Sequence, residues 1–414
     1  MEKKQNVPAL RFQGFSGEWE SHYLGMLGVT FSGLSGKTKA DFGHGQARFV
    51  PYLNVFNHPI ADLQETEAIE IDDKQNEVKY GDIFFTTSSE TPEEVGMSSV
   101  WLGNEKNVYL NSFCFGYRPT STLYPFFMAF LLRSSSVRKE FVFLAQGISR
   151  YNISKNKAMG IGISFPLFRE QCKIGDFFQN LDKFIDGKSH KIQKLQQFRQ
   201  AMLTKLFPRE GAAEPELRFR GFSGKWNVEQ FSKLVFIERG GSPRPIDSYI
   251  TNADDGLNWV KIGDAPKYGI YITHTAEKIK PVGLSMTRQV YPGDLILSNS
   301  MSFGRPYIMA ITGCIHDGWL LIRNSNKIFD LKFLYCLLGS PNVLKQYKAL
   351  ASGSTVNNLN KALVGSVIIQ YPPMEEQKRI GKFFDQLDSY ISLQQKKLER
   401  MQRLKAALLE KLFV

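Results

Sequence analysis

Apolar residues recur at alternating spacings of three and four through two stretches of the chain. In Phe168–Phe207 these positions are Phe178, Leu181, Ile185, Lys188, Ile192, Leu195, Arg199, Met202 and Leu206. In Met374–Phe413 the same steps fall on Phe384, Leu387, Ile391, Gln394, Leu398, Met401, Lys405, Leu408 and Leu412, offset by 206 residues without a gap. Seven of nine positions are apolar in each copy, and the polar exceptions occupy the same two places. A 3-4-3-4 spacing is the seam of a coiled coil. Each stretch predicts a helix roughly 57 Å long at 1.5 Å per residue. Such a helix, polar over most of its surface, needs a partner for its stripe, and the other copy carries a matching one. Two unrelated core helices would leave the matched polar positions unexplained. Each stretch also opens on a start signal, FPLFREQ (Phe165–Gln171) and YPPMEEQ (Tyr371–Gln377), with proline and then acidic residues at the first turn.

The duplication extends beyond the helices. LRFQGFSGEW (Leu10–Trp19) and LRFRGFSGKW (Leu217–Trp226) agree at eight of ten residues. FMAFLL (Phe127–Leu132) aligns with FLYCLL (Phe333–Leu338), and Lys155 with Lys361. Gly81-Asp82-Ile83-Phe84 recurs as Gly293-Asp294-Leu295-Ile296, a turn entering an apolar strand. Between these landmarks the halves diverge. Short β-branched and aromatic runs separated by Gly and Asp predict strands and turns there, followed by short helices near Tyr124–Arg133 and Ser136–Phe143, or Leu331–Leu338 and Pro341–Lys348. The expected division is a mixed domain over 1–166, a helix over 167–209, a second domain over 210–372 and a second helix over 373–414. The fold class is therefore α+β: two mixed domains separated by two long antiparallel helices forming a coiled coil, with a pseudo-twofold internal repeat.

Charge sharpens this picture. Among 414 residues the net charge is +12 (52 basic, 40 acidic), which favours a polyanionic partner. Cys114, Cys172, Cys314 and Cys336 lie far apart with no zinc-like spacing, as reduced structural thiols in a cytoplasmic chain would. No apolar segment follows the basic N-terminus, and the longest apolar run, Phe126–Leu132, is too short to span a membrane, so the expectation is a soluble cytoplasmic protein.

Catalytic chemistry finds no footing. GLSGKT (Gly33–Thr38) lacks the first glycine of a P-loop, because Phe31 stands there. The six histidines show no paired spacing, and neither a nucleophile elbow nor an activated cysteine signature is present. Tyr371-Pro372-Pro373 lacks the flanking residues of an amino-methyltransferase loop and reads as helix punctuation. Asp72-Asp73 and Asp254-Asp255 read as solvated turns. A DNA-reading surface needs Arg and Lys for phosphates, and Asn, Arg, Ser and Thr for base edges. Arg150, Tyr151, Asn152 and Lys155 supply these in QGISRYNISK, and Asn357, Asn358 and Lys361 in SGSTVNNLNK. Ser300, Ser302 and Arg305, with Arg239, Ser242 and Arg244, add a polar face, and Lys37 suits a loop that touches phosphate. Each of these also suits an ordinary surface turn.

Two unlike globular regions alternating with two similar long helices, the P-x-x-x-E-Q helix openings and the repeated LRF.GFSG.W together resemble the specificity (S) subunit of type I restriction–modification enzymes, over essentially the whole chain. GLSGKTKADFG, YLNVF and YGDIF are similar to landmarks of a first target-recognition domain; GGSPRP, WVKIGD, PGDLILS and SGSTVNNLNK are similar to those of a second. GGSP stands where the family often has GGTP, which keeps a hydroxyl. These strings add Ser35, Lys39, Tyr52, Asn54 and Lys261 as candidates for DNA contact, and the polar loop that follows YGDIF adds Ser88. The resemblance implies a non-catalytic reader of a split target in double-stranded DNA, one half-site per domain, with the helix pair as spacer. It implies docking to two methyltransferase subunits and, through them, to restriction subunits, in a bacterial or archaeal cytoplasm. No cofactor is expected in this chain; S-adenosylmethionine, ATP and Mg belong to the partners. The competing class is a stand-alone DNA-binding or adaptor protein that uses the helices for self-association.

Overall fold

Both predicted seams fold as helices, Phe168–Lys205 and Met374–Leu412, of 38 and 39 residues. The structure, a computed structural model, describes residues 6–299, 304–352 and 359–414. Every seam position in both helices is buried or half-buried, the polar ones included. Each helix stops short of its predicted end. Phe207 and Phe413 lie past the last helical turn and are buried in domain cores.

The chain forms two compact units, Met1–Gly187 with Glu399–Val414, and Lys188–Leu398. Each unit thus joins one globular domain to a segment of both long helices. In the first unit Phe178 stacks on Phe413 and the Lys405 ammonium pairs with Asp182, so the two segments run antiparallel. In the second, Arg199 pairs with Asp388 and the Lys188 ammonium donates to Gln394 Oε1 at 3.1 Å, which is again antiparallel. The polar interruptions of the seam are therefore its paired positions. Asp182 with Lys405 and Asp388 with Arg199 are one contact made twice with the helices exchanged, since each residue recurs 206 positions on. Lys188 and Gln394, which share one place in the repeat, meet each other.

The repeated entry segment closes each core. Arg11 makes a two-pronged pair with buried Glu170 at 2.8 and 2.7 Å, and Arg218 does the same with buried Glu376 at 2.7 and 2.7 Å. The adjacent Gln171 donates to the Pro166 carbonyl and accepts from Tyr124 N; Gln377 donates to Pro372 and accepts from Asp330 N. Trp19 packs edge-on against Phe413, and Trp226 against Phe207. The E-Q pair and the LRF.GFSG.W string recur because they hold each other's ends of the frame.

The globular regions share one topology despite their divergent sequences. In the first unit an antiparallel sheet has the order Gly28–Ser32, Cys114–Pro119, Ile83–Thr86, Ser98–Val100. In the second the order is Phe236–Arg239, Trp319–Arg323, Leu295–Ser298, Pro306–Met309, with Tyr271–Ile272 added at the edge. A second sheet sets Glu67–Ile69 against Phe42–Val50, which pairs in parallel with Val108–Leu110. Its counterpart sets Glu277–Ile279 against Leu257–Val260, which pairs in parallel with Gly313–Ile315, and adds Ile250–Thr251 and Arg288–Val290. The repeated Gly-Asp turn enters equivalent strands. Gly81 and Gly293 adopt φ of 86° and 93°, which favours glycine. Asp82 and Asp294 are buried and paired with Arg118 and Arg323 at 2.7 and 2.6 Å.

Candidate nucleic-acid interface

At the end of the central strand of each sheet, one residue ties three loops together. In the second domain this is Asn299, buried, following Leu295–Ser298. Its carbonyl accepts from Leu359 N at 3.0 Å, and its amide donates to the Asp317 carbonyl at 2.8 Å. The loop of Gly240 and Gly241 packs onto the same turn. A Cβ on Gly240 would stand 2.2 Å from the His316 carbonyl, so a side chain is excluded there. Arg239 Nε donates to the Asp317 carbonyl at 3.2 Å, Ser242 Oγ donates to Asp317 Oδ1 at 3.1 Å, and the Arg244 guanidinium lies 3.8 Å from Oδ2. Arg239, Ser242 and Arg244, remote from residue 317 in sequence, are thus gathered at one turn.

Ser242, Arg244, Lys261, Trp259, Glu277 and His316 line an open cleft of about 1140 Å³. Lys261 is ion-paired with Glu277 across it. Arg305 is exposed and lies over the Tyr307 ring, and exposed Lys361 lies over Phe236. Ser300, Ser302, Asn357 and Asn358 lie outside the described residues. Their flanks, Asn299 and Leu359, are hydrogen-bonded to each other.

In the first domain Thr87 holds the equivalent place. Its carbonyl accepts from Ile153 N at 3.0 Å, and its hydroxyl donates to the Phe113 carbonyl at 2.7 Å. Tyr151 and Asn152 pair with Ser89 and Ser88 as two short strands, and Arg150 beside them is exposed. Lys155 Nζ donates to Ser32 Oγ at 3.1 Å. Tyr52 is half-buried, and its hydroxyl donates to the Ser88 carbonyl. Tyr52, Ser88, Arg150, Tyr151, Asn152 and Lys155 therefore come together.

Ser35, Lys37 and Lys39 form a separate stretch, tied to residues 72–75. Ser35 N donates to Gln75 Oε1, and Lys37 pairs with Asp72 at 2.8 Å. Asp72 is thus a loop anchor rather than a merely solvated turn residue. The Lys37 hydrogen bond raises the ammonium pKa and holds the Asp72 carboxyl well below the usual carboxylate range. Lys39 is exposed in a short turn of 3₁₀ helix.

Asn54 is a correction. It is fully buried, its amide donates to the carbonyls of Asp62 and Glu65, and its Oδ1 accepts from Asp62 N. With its polar atoms occupied inside the fold, it shapes the 52–65 segment and presents nothing to a ligand. The anchors Asp317 and Thr87 carried no sequence signal, and Asp72 stood out only as half of a turn-like carboxylate pair; only the folding of distant loops onto them exposes their role. Burial raises Cys114 to about 12 and Cys314 to about 11, so neither is a thiolate near neutrality. Among the described residues, no group of three or more His, Cys, Asp or Glu could hold a metal ion.

A family model, the type I restriction modification DNA specificity domain, matches residues 37–197 and again 257–403. The chain belongs to this family of type I specificity subunits. It is 24% identical over 418 residues to the putative type I restriction enzyme MjaX specificity subunit of Methanocaldococcus jannaschii, covering 97% of this chain and 94% of that one. It is also 24% identical over 268 residues to the MjaVIII specificity subunit of the same organism, covering 61% of each. Its fold is similar to the crystal structure of a type I S subunit from M. genitalium, with a TM-score of 0.64 at 15% identity over 99% of both chains. A chain from a structure concerned with complex assembly of the type I R-M system follows, with a TM-score of 0.58 at 19% identity over 95% of this chain and 97% of that one. Its role as a type I specificity subunit is DNA recognition. Among the described residues no helix is long and apolar enough to cross a membrane.

Proposed function

We propose that this subunit reads a bipartite DNA target, one half-site per domain, with the gap set by the long helices. The observation that carries this reading is the repetition of one domain topology on one frame, with different polar side chains gathered at the equivalent strand ends. A common topology gives both domains the same means of approach to a duplex, while unlike loops give them different bases to read. A helix of roughly 57 Å spans roughly 17 base pairs at 3.4 Å each, which sets an upper figure for the separation of half-site centres. The excess of basic residues supports phosphate contacts on both sides.

The same reading gives the chain no reaction of its own. It docks methyltransferase subunits, two in number, and through them the restriction subunits. S-adenosylmethionine, ATP and Mg are held by those partners, and any extrusion of the target base is the methyltransferase's act. The outer faces of the long helices, mostly polar but carrying exposed Phe184, Phe198, Tyr390, Leu393 and Leu404, support a docking role.

The test is exchange of residues 8–165 for the corresponding domain of another family member, followed by sequencing of methylated bases in a host expressing the complex. One half of the methylated motif is expected to change while the other half is kept. A change in both halves, or a continuous motif without a gap, would overturn the reading.

A further inference from the structure

The second domain sets a carboxylate against the loop that carries Arg239, Ser242 and Arg244. Asp317 accepts from Ser242 and faces Arg244, while its carbonyl receives Arg239 and Asn299. His316 Nε2 stands 2.9 Å from the same carboxylate. Asp317 is about a third exposed, so it lies within the field that an approaching duplex would meet. Arg244, 82% exposed at the rim of the cleft, is held only loosely at 3.8 Å. A carboxylate here has two physical consequences. It restrains a serine hydroxyl that is otherwise free to rotate, which orients it for a base edge. It also repels backbone phosphate, which would otherwise collect on exposed arginines whatever the sequence.

We propose that Asp317 is a specificity-determining positioning residue of the second domain: it holds Ser242 in the pose that reads bases and keeps phosphate of non-target DNA off Arg244. This rests on the reading of the domain as a DNA half-site reader. The two effects act in opposite directions on the two kinds of DNA. Target complexes use the orientation that Asp317 provides; non-target complexes, held by phosphate alone, are weakened by its charge.

The experiment uses the full chain assembled with its methyltransferase subunits. Binding is measured to a duplex carrying the methylated genomic motif and to a scrambled duplex of equal length and composition, across a salt series. For Asp317→Asn, affinity for the scrambled duplex is expected to rise roughly 3–10-fold, with a steeper salt dependence by about one phosphate contact. Discrimination at the second half-site falls, and preference at the first half-site stays as it was. Arg244→Ala changes an exposed side chain with little effect on folding; it is expected to lose second-half discrimination without any gain on the scrambled duplex. The double variant shows no rise in scrambled-duplex affinity, because the gain in Asp317→Asn runs through Arg244, the signature of coupled residues. Parallel loss of affinity for both duplexes in Asp317→Asn, unaltered affinity for both, or a rise in scrambled-duplex affinity that persists in the double variant would overturn the proposal. A wild-type complex that fails to distinguish the two duplexes would instead overturn the half-site reading itself.

Discussion

The two globular domains have the same strand order and unlike working surfaces. After the central strand, Thr87 in the first and Asn299 in the second make the same backbone contact, accepting from Ile153 N and Leu359 N. Each also donates from its side chain to a carbonyl on a facing turn, Phe113 or Asp317. At that turn the domains part. The first presents Phe113, 61% exposed. The second presents a carboxylate ringed by Arg239, Ser242 and Arg244. The frame is thus preserved by hydrogen bonds that depend on backbone position, while the side chains at the same place are free to differ. A reader built this way can alter one half of its target without disturbing the fold.

Three perturbations separate frame from reading surface, beyond the domain exchange and the Asp317 test. The largest effect is expected in the cores. Phe413 packs on Trp19, Phe127 and Phe178 in the first unit, as Phe207 packs on Trp226, Phe333 and Phe384 in the second. Phe413→Ala should destabilise the first unit by ~3–5 kcal/mol and leave the second intact. Hydrogen exchange resolved by segment checks this, and equal loss of protection in both units would break the picture of separately closed cores.

A smaller, graded effect is expected at the repeated ion pair. Arg199→Ala strands Asp388, which is only 13% exposed, and should cost ~3 kcal/mol of unfolding free energy in denaturant titration. Lys405→Ala strands Asp182, whose pKa is already raised, by burial first of all. That carboxyl takes up a proton more readily than an ordinary aspartate, so ~1–2 kcal/mol is expected near neutral pH. Its folded pKa lies above its unfolded one, so its contribution is fully present below the unfolded value and declines as pH rises through the folded one. The cost of Lys405→Ala should therefore shrink on acidification. A cost that stays constant from pH 7 to pH 4 would contradict the burial of Asp182.

The smallest effect belongs to the first domain alone. Both ring nitrogens of His44 face acceptors, the Ala40 carbonyl at 2.8 Å and Glu70 Oε1 at 3.0 Å, so the doubly protonated ring satisfies both. Its pKa is raised, chiefly by the Ala40 hydrogen bond and then by Glu70. The contact is complete below the unfolded pKa and is lost as pH rises through the folded one. Amide exchange around residues 40–45 should quicken modestly between pH 6 and pH 9 after correction for intrinsic rates. His44→Gln should abolish that difference, and an unchanged pH response in this variant would remove His44 as its source.

Much of the frame was legible in the sequence because it is periodic or repeated. The seam positions, the helix starts and the pairing of two helices followed from a stripe that needs covering. The matched polar positions were visible as a pattern, but their partners were not. Asp182 and Asp388 lie off the stripe, and only an antiparallel arrangement brings Lys405 and Arg199 to them. The reading surface was legible in composition alone. Arg239, Ser242 and Arg244 stood out as a basic polar loop, whereas Asp317 stood out as nothing. Asn54 looked like a polar residue in a recognition string, and its burial depends on the carbonyls of Asp62 and Glu65 closing over it.

By itself the amino-acid order determined the duplication, the two long helices and their shared seam, because helical periodicity and repeated strings are local properties of the chain. The tertiary structure decided that the two divergent domains share one sheet topology, and that each core is closed by the phenylalanine ending a long helix. It also decided which cations stand beside carboxylates. Strand order and ion pairing join residues tens to hundreds of positions apart, and no local pattern records which distant segments will meet.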